Sequence, residues 1–488
     1  MDNRMDDFQY LVEAKIFAPN LTIDTERHGD VLEAIFKKAT LSTKKEGDKR
    51  DALACILANL IISFWSDEPV RYSRGKGNYR IPRRYGKAWF TYTNIVRTID
   101  RLNELGLIEQ RKGFWNGNGG RSFLARIRPT QRLAELVSHC SVNNKPIQEL
   151  IHLKDAKKRL IDYEDTALTS SMRERLVRYN ELVGSTQMSL VIPTGAALEE
   201  KSQKILKENY PWTSTIIENL VSEESSNQGL WVYQDTLIQG RVLLSPSSLL
   251  YHHYTSTTIQ EHYHHYLGKI SSEAAIYPLE HLQTYRVFNR GDFTSGGRFY
   301  NRGLLSYMGL PKELRKFISI DGEPVVELDY SGLHLRMAHH LKGRNYREDP
   351  YEFCDGDKVL RKAYKLAALI LLNSGSRDSA VKAIRKAYIE EHIPLLRDQE
   401  INHLIDRLIR EHAFIEEFFL SDIGISFQAI DSQIMDGILA HFTRKDIPVL
   451  PIHDSCVIAR KHENELWEVM SEEYRKVIGF EPVIDKKF

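Results

Sequence analysis

Apolar positions along this chain switch between two spacings, and the switches mark its elements. From residue 51 to 66, Leu53, Ile56, Leu57, Leu60, Ile61 and Phe64 recur at helical intervals. This is the most apolar run, but it is shorter than a bilayer requires and holds Asn59 and Ser63, so it predicts a buried helix. A second helical face follows in Ile95, Ile99, Leu102 and Leu105, with Thr91 or Thr93 placed to cap it and Gly106 to stop it. Two β-like runs, Leu107 to Phe114 and Arg121 to Arg128, then flank Asn116-Gly117-Asn118-Gly119-Gly120, a composition suited to a hairpin tip. Further on, Lys154 to Asp162 and Met172 to Leu182 are expected to be helices around a Thr/Ser-rich break at Thr166 to Ser171.

Two later runs carry chemistry. Val325-Val326-Glu327-Leu328-Asp329 ends a strand-like segment on a carboxylate and passes directly into a helical pattern. The apolar, β-branched stretch from Pro448 to Ile458 encloses Asp454, where a charge needs a partner. An Asp at a strand end is ordinarily a turn former or helix cap. Two strand-borne aspartates that meet in space, however, make a site for divalent cations. Mg²⁺ favours one or two carboxylates plus substrate phosphates, and a pair of such ions stabilises both the attacking and the leaving oxygen of a phosphoryl displacement.

The surrounding motifs resemble the polymerase domain of the DNA polymerase I-like family, family A, and more distantly the phage-type single-subunit RNA polymerases. Asp329-Tyr330-Ser331-Gly332-Leu333-His334-Leu335-Arg336 is similar to the family's first catalytic motif, and His453-Asp454-Ser455 to its last. Between them, Arg361 and Lys365 are spaced like the basic pair of the fingers helix, and Gln428 sits in a segment similar to the family's Gln-Gly-Thr-Ala-Ala element. Ahead of them, Thr294-Ser295-Gly296-Gly297-Arg298 is similar to the Thr-Gly-Arg segment, and Leu314-Arg315-Lys316-Phe317-Ile318 to the strand lead-in. The match departs at His334, where the DNA polymerases carry a Glu beside the sugar, and at Ser455, where they carry a second acid. Leu369 and Asn373 replace the aromatic residues expected after the fingers Lys, and short spacings imply reduced fingers.

The resemblance implies that Asp329 and Asp454, with the carbonyl of Tyr330, hold two Mg²⁺ ions, Mn²⁺ being a substitute. It implies that Arg361 and Lys365 meet a nucleoside triphosphate, Lys365 also acting as proton donor. Ser331, Gly332 and His334 would line the sugar, while Arg298, Gln428 and His453 would hold a DNA primer-template.

Composition bounds the rest. With 42% hydrophobic and 27% charged residues in 488, the chain reads as two or three globular domains. Its four cysteines have neither metal-type nor disulfide spacing, and the charged N-terminus is no signal peptide, so a cytoplasmic protein without a membrane partner is expected. Net charge is only +1, yet residues 68 to 133 hold 15 Lys and Arg against four Asp and Glu, a local +11 that suits a polyanion.

That basic stretch, with its helix, glycine and long-tipped hairpin, resembles a winged helix-turn-helix. Such a fold would direct Asn94, Arg97 and Arg101 to a major groove and Arg111, Lys112, Arg121, Arg126 and Arg128 to the backbone. The Tyr- and His-rich segment from Tyr251 to Tyr266 suits base stacking better than metal binding, since no ligand spacing recurs.

The expected architecture is α+β and multidomain, with an N-terminal winged helix and a C-terminal right-hand polymerase of palm, reduced fingers and thumb. The segments are a helical extension over 1–50, the winged helix over 51–135, a helical linker over 136–200, a thumb-like connection over 201–290, and the polymerase part over 291–488. The function implied is a template-directed, exonuclease-less nucleotidyltransferase, with accessory replication proteins as further partners. The alternatives are a primer-independent or RNA-synthesising polymerase and a non-catalytic DNA-binding replication initiator or regulator.

Overall fold

The computed structural model describes residues 14–39, 45–115, 122–137, 140–193, 196–209, 236–238, 241–243, 274–279, 283–301, 306–394 and 397–488. The hairpin tip, Arg121 and the segment from Tyr251 to Tyr266 lie outside them. The chain mixes helices and β-sheets and divides into two compact units. The first comprises 1–149, 189–283 and 302–315; the second comprises 150–188, 284–301 and 316–488. Among the described residues, no helix is long and apolar enough to cross a membrane.

The first unit opens with β1 (Lys15–Ile16), β2 (Leu21–Ile23), α1 (Gly29–Ala39) and α2 (Glu46–Ser66). Next come β3 (Val70–Tyr72), α3 (Tyr92–Glu104), β4 (Ile108–Arg111), β5 (Phe114–Trp115), β6 (Ser122–Phe123), β7 (Ala125–Pro129), α4 (Gln131–Val137) and β8 (Val142–Asn144). A four-stranded sheet runs in the order β1-β3-β7-β4.

Helix α2 is buried nearly all round, from Ala52 to Ile61, because sheet and helices enclose it. Its one buried amide, Asn59, accepts from Ala18 N at 2.7 Å and donates to Ala18 O at 3.0 Å, which satisfies the polar group and ties down the β1–β2 connection. The predicted start of α3 is at Thr91, whose hydroxyl accepts from Asn94 N at 3.1 Å. Gly106, at φ +65°, ends it as expected of a left-handed stop.

The second unit begins with β9 (Ile151–Leu153) and α5 (Ala167–Ser185). Here two expectations fail. Residues 154–162 form no helix, because the Asp155 carboxylate accepts from Lys157 N and Arg159 N and closes a turn that the Lys154–Leu160 bridge seals. The Thr/Ser-rich stretch is no break either: Thr166 caps α5, and Thr169 completes the capping box. The chain then returns to the first unit with β10 (Met188–Pro193), α6 (Glu200–Asn209), β11 (Thr236–Ile238), β12 (Arg241–Leu243) and β13 (Ala274–Pro278), and re-enters the second with β14 (Thr284–Phe288) and β15 (Gly296–Asn301). β14 pairs antiparallel with β15 and parallel with β9.

The remaining elements are β16 (Ile318–Ile320), β17 (Glu323–Tyr330), α7 (Leu333–Leu341), α8 (Lys358–Leu372), α9 (Arg377–Glu390) and α10 (Asp398–Glu411). They are followed by α11 (Gly424–Thr443), β18 (Val449–Ile452), β19 (Ser455–Ala459), α12 (Glu463–Ile478) and β20 (Ile484–Lys486). β17 is central, pairing antiparallel with β16, β19 and β20, while β18 pairs with β19. Every residue of β18 and β19 is buried, in keeping with their unbroken apolar run.

Candidate active site

Two aspartates 125 positions apart in sequence are brought together by strand register. Asp329 lies one residue from the end of β17, opposite Ser455 of β19 and Asp485 of β20. Asp454 occupies the two-residue turn between β18 and β19, and its carbonyl accepts from Tyr330 N at 3.3 Å. The turn is tight because His453 adopts a left-handed φ of +57°, a conformation that costs a non-glycine residue about 1 kcal/mol and is concentrated at functional sites. The Tyr300 ring stands edge-on to His453 at 5.9 Å.

The site is strongly polarised. Burial, with repulsion from Asp454 and Glu327, pushes the Asp329 carboxyl up to about 6. That happens even though the Lys487 ammonium stands 2.6 Å from Asp329 Oδ2. For Lys487 itself burial works against the charge, but the bond to Asp329 and the fields of Asp485 and Asp454 outweigh it and hold the ammonium above its ordinary range. Lys365, on α8, is held below its ordinary range by burial and by the neighbouring cations Arg361 and Lys487, and it feels the field of Asp329.

The donor set fits a hard divalent cation. Two oxygen-bearing carboxylates converge, their mutual repulsion calls for positive charge, and an ammonium already answers that call. Among the described residues no group of three or more His, Cys, Asp or Glu converges in a ligand geometry, so the carboxylate pair is the donor set this unit offers a cation.

Around this centre the structure assigns the other sequence-predicted residues to distinct local environments. Arg298 of β15 grips Asp431 of α11 through Nε at 3.0 Å and through Nη2, and His334 Nε2 approaches the same carboxylate at 3.2 Å. Asp431 is nearly sealed from solvent, so Arg298 and His334 are held in place by it. Gln428, half-buried, lies one turn before Asp431 on α11. Arg361 forms a bidentate pair with Asp349 and lies over the Tyr351 ring, which Lys365 also faces at 5.8 Å. At Gly332, φ is +56° and an added Cβ would meet Arg336 Nη1 at 2.9 Å and Pro350 Cγ at 3.0 Å, so a side chain at the entry to α7 would be strained and would crowd both neighbours. Arg336 in turn donates to the carbonyls of Ser331 and Glu348.

Lys487, Asp431, Asp349 and Glu327 were not among the residues singled out from sequence. Asp431 left a signal, an acid on the same helical face as Gln428. Lys487 left none, because a short terminal strand gains meaning only from what it pairs with.

In the first unit the expected nucleic-acid residues separate into two groups. Arg97, Arg111 and Lys112 are exposed. Arg126 is 2% exposed, with Nη1 donating to Leu124 O at 2.7 Å, which takes it off any backbone-binding surface because its strand position faces inward. Asn94 donates its amide to Trp89 O, Arg101 bonds Glu104 and Ala39 O, and Arg128 pairs with Asp67, so each is engaged locally.

No family model matches the chain, and no curated protein matches it. Among solved structures it is similar to the polymerase domain of Pol1 from M. smegmatis, in complex with DNA primer-template and dNTP, at 10% identity and a TM-score of 0.25. That alignment covers 65% of this chain and spans only 64% of the other. A likeness at that score identifies neither a site nor a residue.

Proposed function

We propose that the second unit is a template-directed nucleotidyltransferase, most simply a DNA polymerase without a proofreading domain. The reading is carried by one observation: Asp329 at the end of β17 and Asp454 in the β18–β19 turn share a polarised site in which Lys487 touches Asp329 and Lys365 lies within its field. The order of motifs from Arg298 to His453 supports it.

In this reading Asp329, Asp454 and the Tyr330 carbonyl hold divalent cations, Mg²⁺ with Mn²⁺ as substitute. Bound there, such ions acidify an attacking 3′-hydroxyl and offset the charge of the triphosphate. Arg361 and Lys365, four apart on α8, share a face and receive the phosphates. The 3′-hydroxyl gives its proton to solvent, its oxygen bonds to the α-phosphorus as the bond to the bridging oxygen breaks, and Lys365, whose burial loosens its proton, protonates the departing pyrophosphate and regains a proton from solvent. Ser331, Gly332 and His334 bound the sugar, while Arg298, Gln428 and His453 hold primer and template. The basic first unit anchors DNA in winged-helix fashion, a reading supported by its order of α2, β3, α3, β4 and β7 and by exposed Arg97, Arg111 and Lys112.

One observation favours a second reading, synthesis of RNA: where a carboxylate would crowd the 2′ position, this chain holds an imidazole pinned by Asp431. Primer extension with dNTPs and with NTPs, in Mg²⁺ and in Mn²⁺, with Asp454→Asn as control, decides between them. Incorporation lost in the control supports the polymerase reading; no incorporation under any condition overturns it, leaving a non-catalytic DNA-binding regulator.

A further inference from the structure

Strand β20 binds the end of β17 with Asp485 opposite Asp329, and two residues on, Lys487 N donates to Glu327 O at 2.8 Å. The backbone is therefore fixed on both sides of Asp329, and the Lys487 side chain starts from a held position. Its Nζ reaches Asp329 Oδ2 at 2.6 Å, with Lys487 31% and Asp329 16% exposed, so the contact is partly screened from water. Neighbouring Lys486 points elsewhere, to Glu463 at 2.7 Å. A Lys ammonium is a compact point charge with three donors, the closest side-chain analogue of a hydrated cation.

From this geometry we propose that Lys487 is a resident cation of the carboxylate pair, competing with the divalent ion for Asp329. The pair then takes a divalent ion weakly by itself and tightly once a triphosphate draws the ammonium to its own oxygens. This rests on the metal-binding reading above and adds to it a residue that couples metal loading to nucleotide. The physical basis is that ion and ammonium need the same oxygen. Mg²⁺ demands close octahedral coordination, and a second positive charge a few ångströms away repels it in a partly buried site.

The test is Mn²⁺ titration of the full chain, followed by electron paramagnetic resonance, without nucleotide and then with a non-hydrolysable nucleoside triphosphate. Lys487→Met is expected to bind Mn²⁺ about tenfold tighter than the parent, and Lys487→Arg to stay near it. Asp329→Asn added to Lys487→Met should erase the gain, and Lys486→Met should change nothing. The triphosphate should tighten Mn²⁺ binding more in the parent than in Lys487→Met. Should the Met variant melt well below the parent, Lys487→Gln, which keeps a polar hydrogen-bonding end without the charge, is read in its place. Unchanged or weaker Mn²⁺ binding in the neutral variants, with the parent binding normally, overturns this proposal alone. Absence of Mn²⁺ binding in every variant overturns the metal reading with it.

Discussion

The hydroxyl of Ser455 donates to Glu327 Oε1 at 3.0 Å, and both side chains are buried. The residue after Asp454 thus serves the interior of the sheet, tying β19 to β17 across the register that sets Asp329 against it. Ser455→Ala removes a donor to a buried carboxylate and should cost about 1–3 kcal/mol in urea unfolding. Ser455→Glu sets a second acid against Glu327 and should cost more than the alanine. Equal stability of the parent and both variants would contradict this account.

Arg298 and Asp431 form a buried ion pair that also positions His334. Arg298→Leu leaves the buried Asp431 carboxylate against the His334 imidazole and should destabilise the fold by about 3–5 kcal/mol. Arg298→Leu with Asp431→Leu should recover most of that, because no uncompensated charge stays inside. If the double variant is no more stable than the single, charge burial is not the cause.

Arg361 is held by Asp349 in the described state, so a phosphate must compete for it. Asp349→Ala should lower the KM for nucleotide a few-fold at similar kcat, while Arg361→Ala should raise KM. Identical KM values in the parent and the Asp349 variant would show that Arg361 does not meet the nucleotide.

Asp454→Asn should cut incorporation by about 10³-fold, the scale of several kcal/mol of lost charge stabilisation. It should leave the melting temperature unchanged or higher, since it relieves repulsion against Asp329. Single-turnover extension and thermal melting on one preparation check both; a large loss of stability would recast Asp454 as structural.

His339 stacks on Tyr346 at 4.1 Å, with Nε2 3.3 Å from His412 Nδ1, and burial together with His412 pushes it down to about 4. The unfolded chain therefore binds this proton near pH 6.5 and the folded chain only near 4, so stability falls as pH drops through that window and is flat above it. Urea midpoints from pH 7 to 4.5 should decline, and decline less in His339→Phe. Parallel curves for the two proteins would remove His339 as a cause.

Much of the local structure was legible in the sequence. Helix α2 and the Thr91-to-Gly106 limits of α3 follow from spacing and capping chemistry that act within a turn or two. Each aspartate could likewise be placed at the end of an apolar run, because alternation and β-branching report strand character locally. The order of motifs supplied the expectation that the two should meet. Where local signals were equivocal, the sequence misled: Asp155 closes a turn where a polar, helix-prone stretch suggested a helix, and Thr166 starts a helix where hydroxyls suggested a break.

The tertiary structure decided which groups share space. Register opposite β17 put Ser455 on Glu327, Asp485 beside Asp329, and Lys487 onto the carboxylate pair. It also turned Arg126 inward and gave Arg298 a buried acid rather than solvent. None of this could be read along the chain. Periodicity fixes which face a residue occupies, whereas the partner it meets depends on pairing between segments far apart in the chain, more than a hundred residues for the carboxylate pair. In this protein those pairings set the charge of the proposed site.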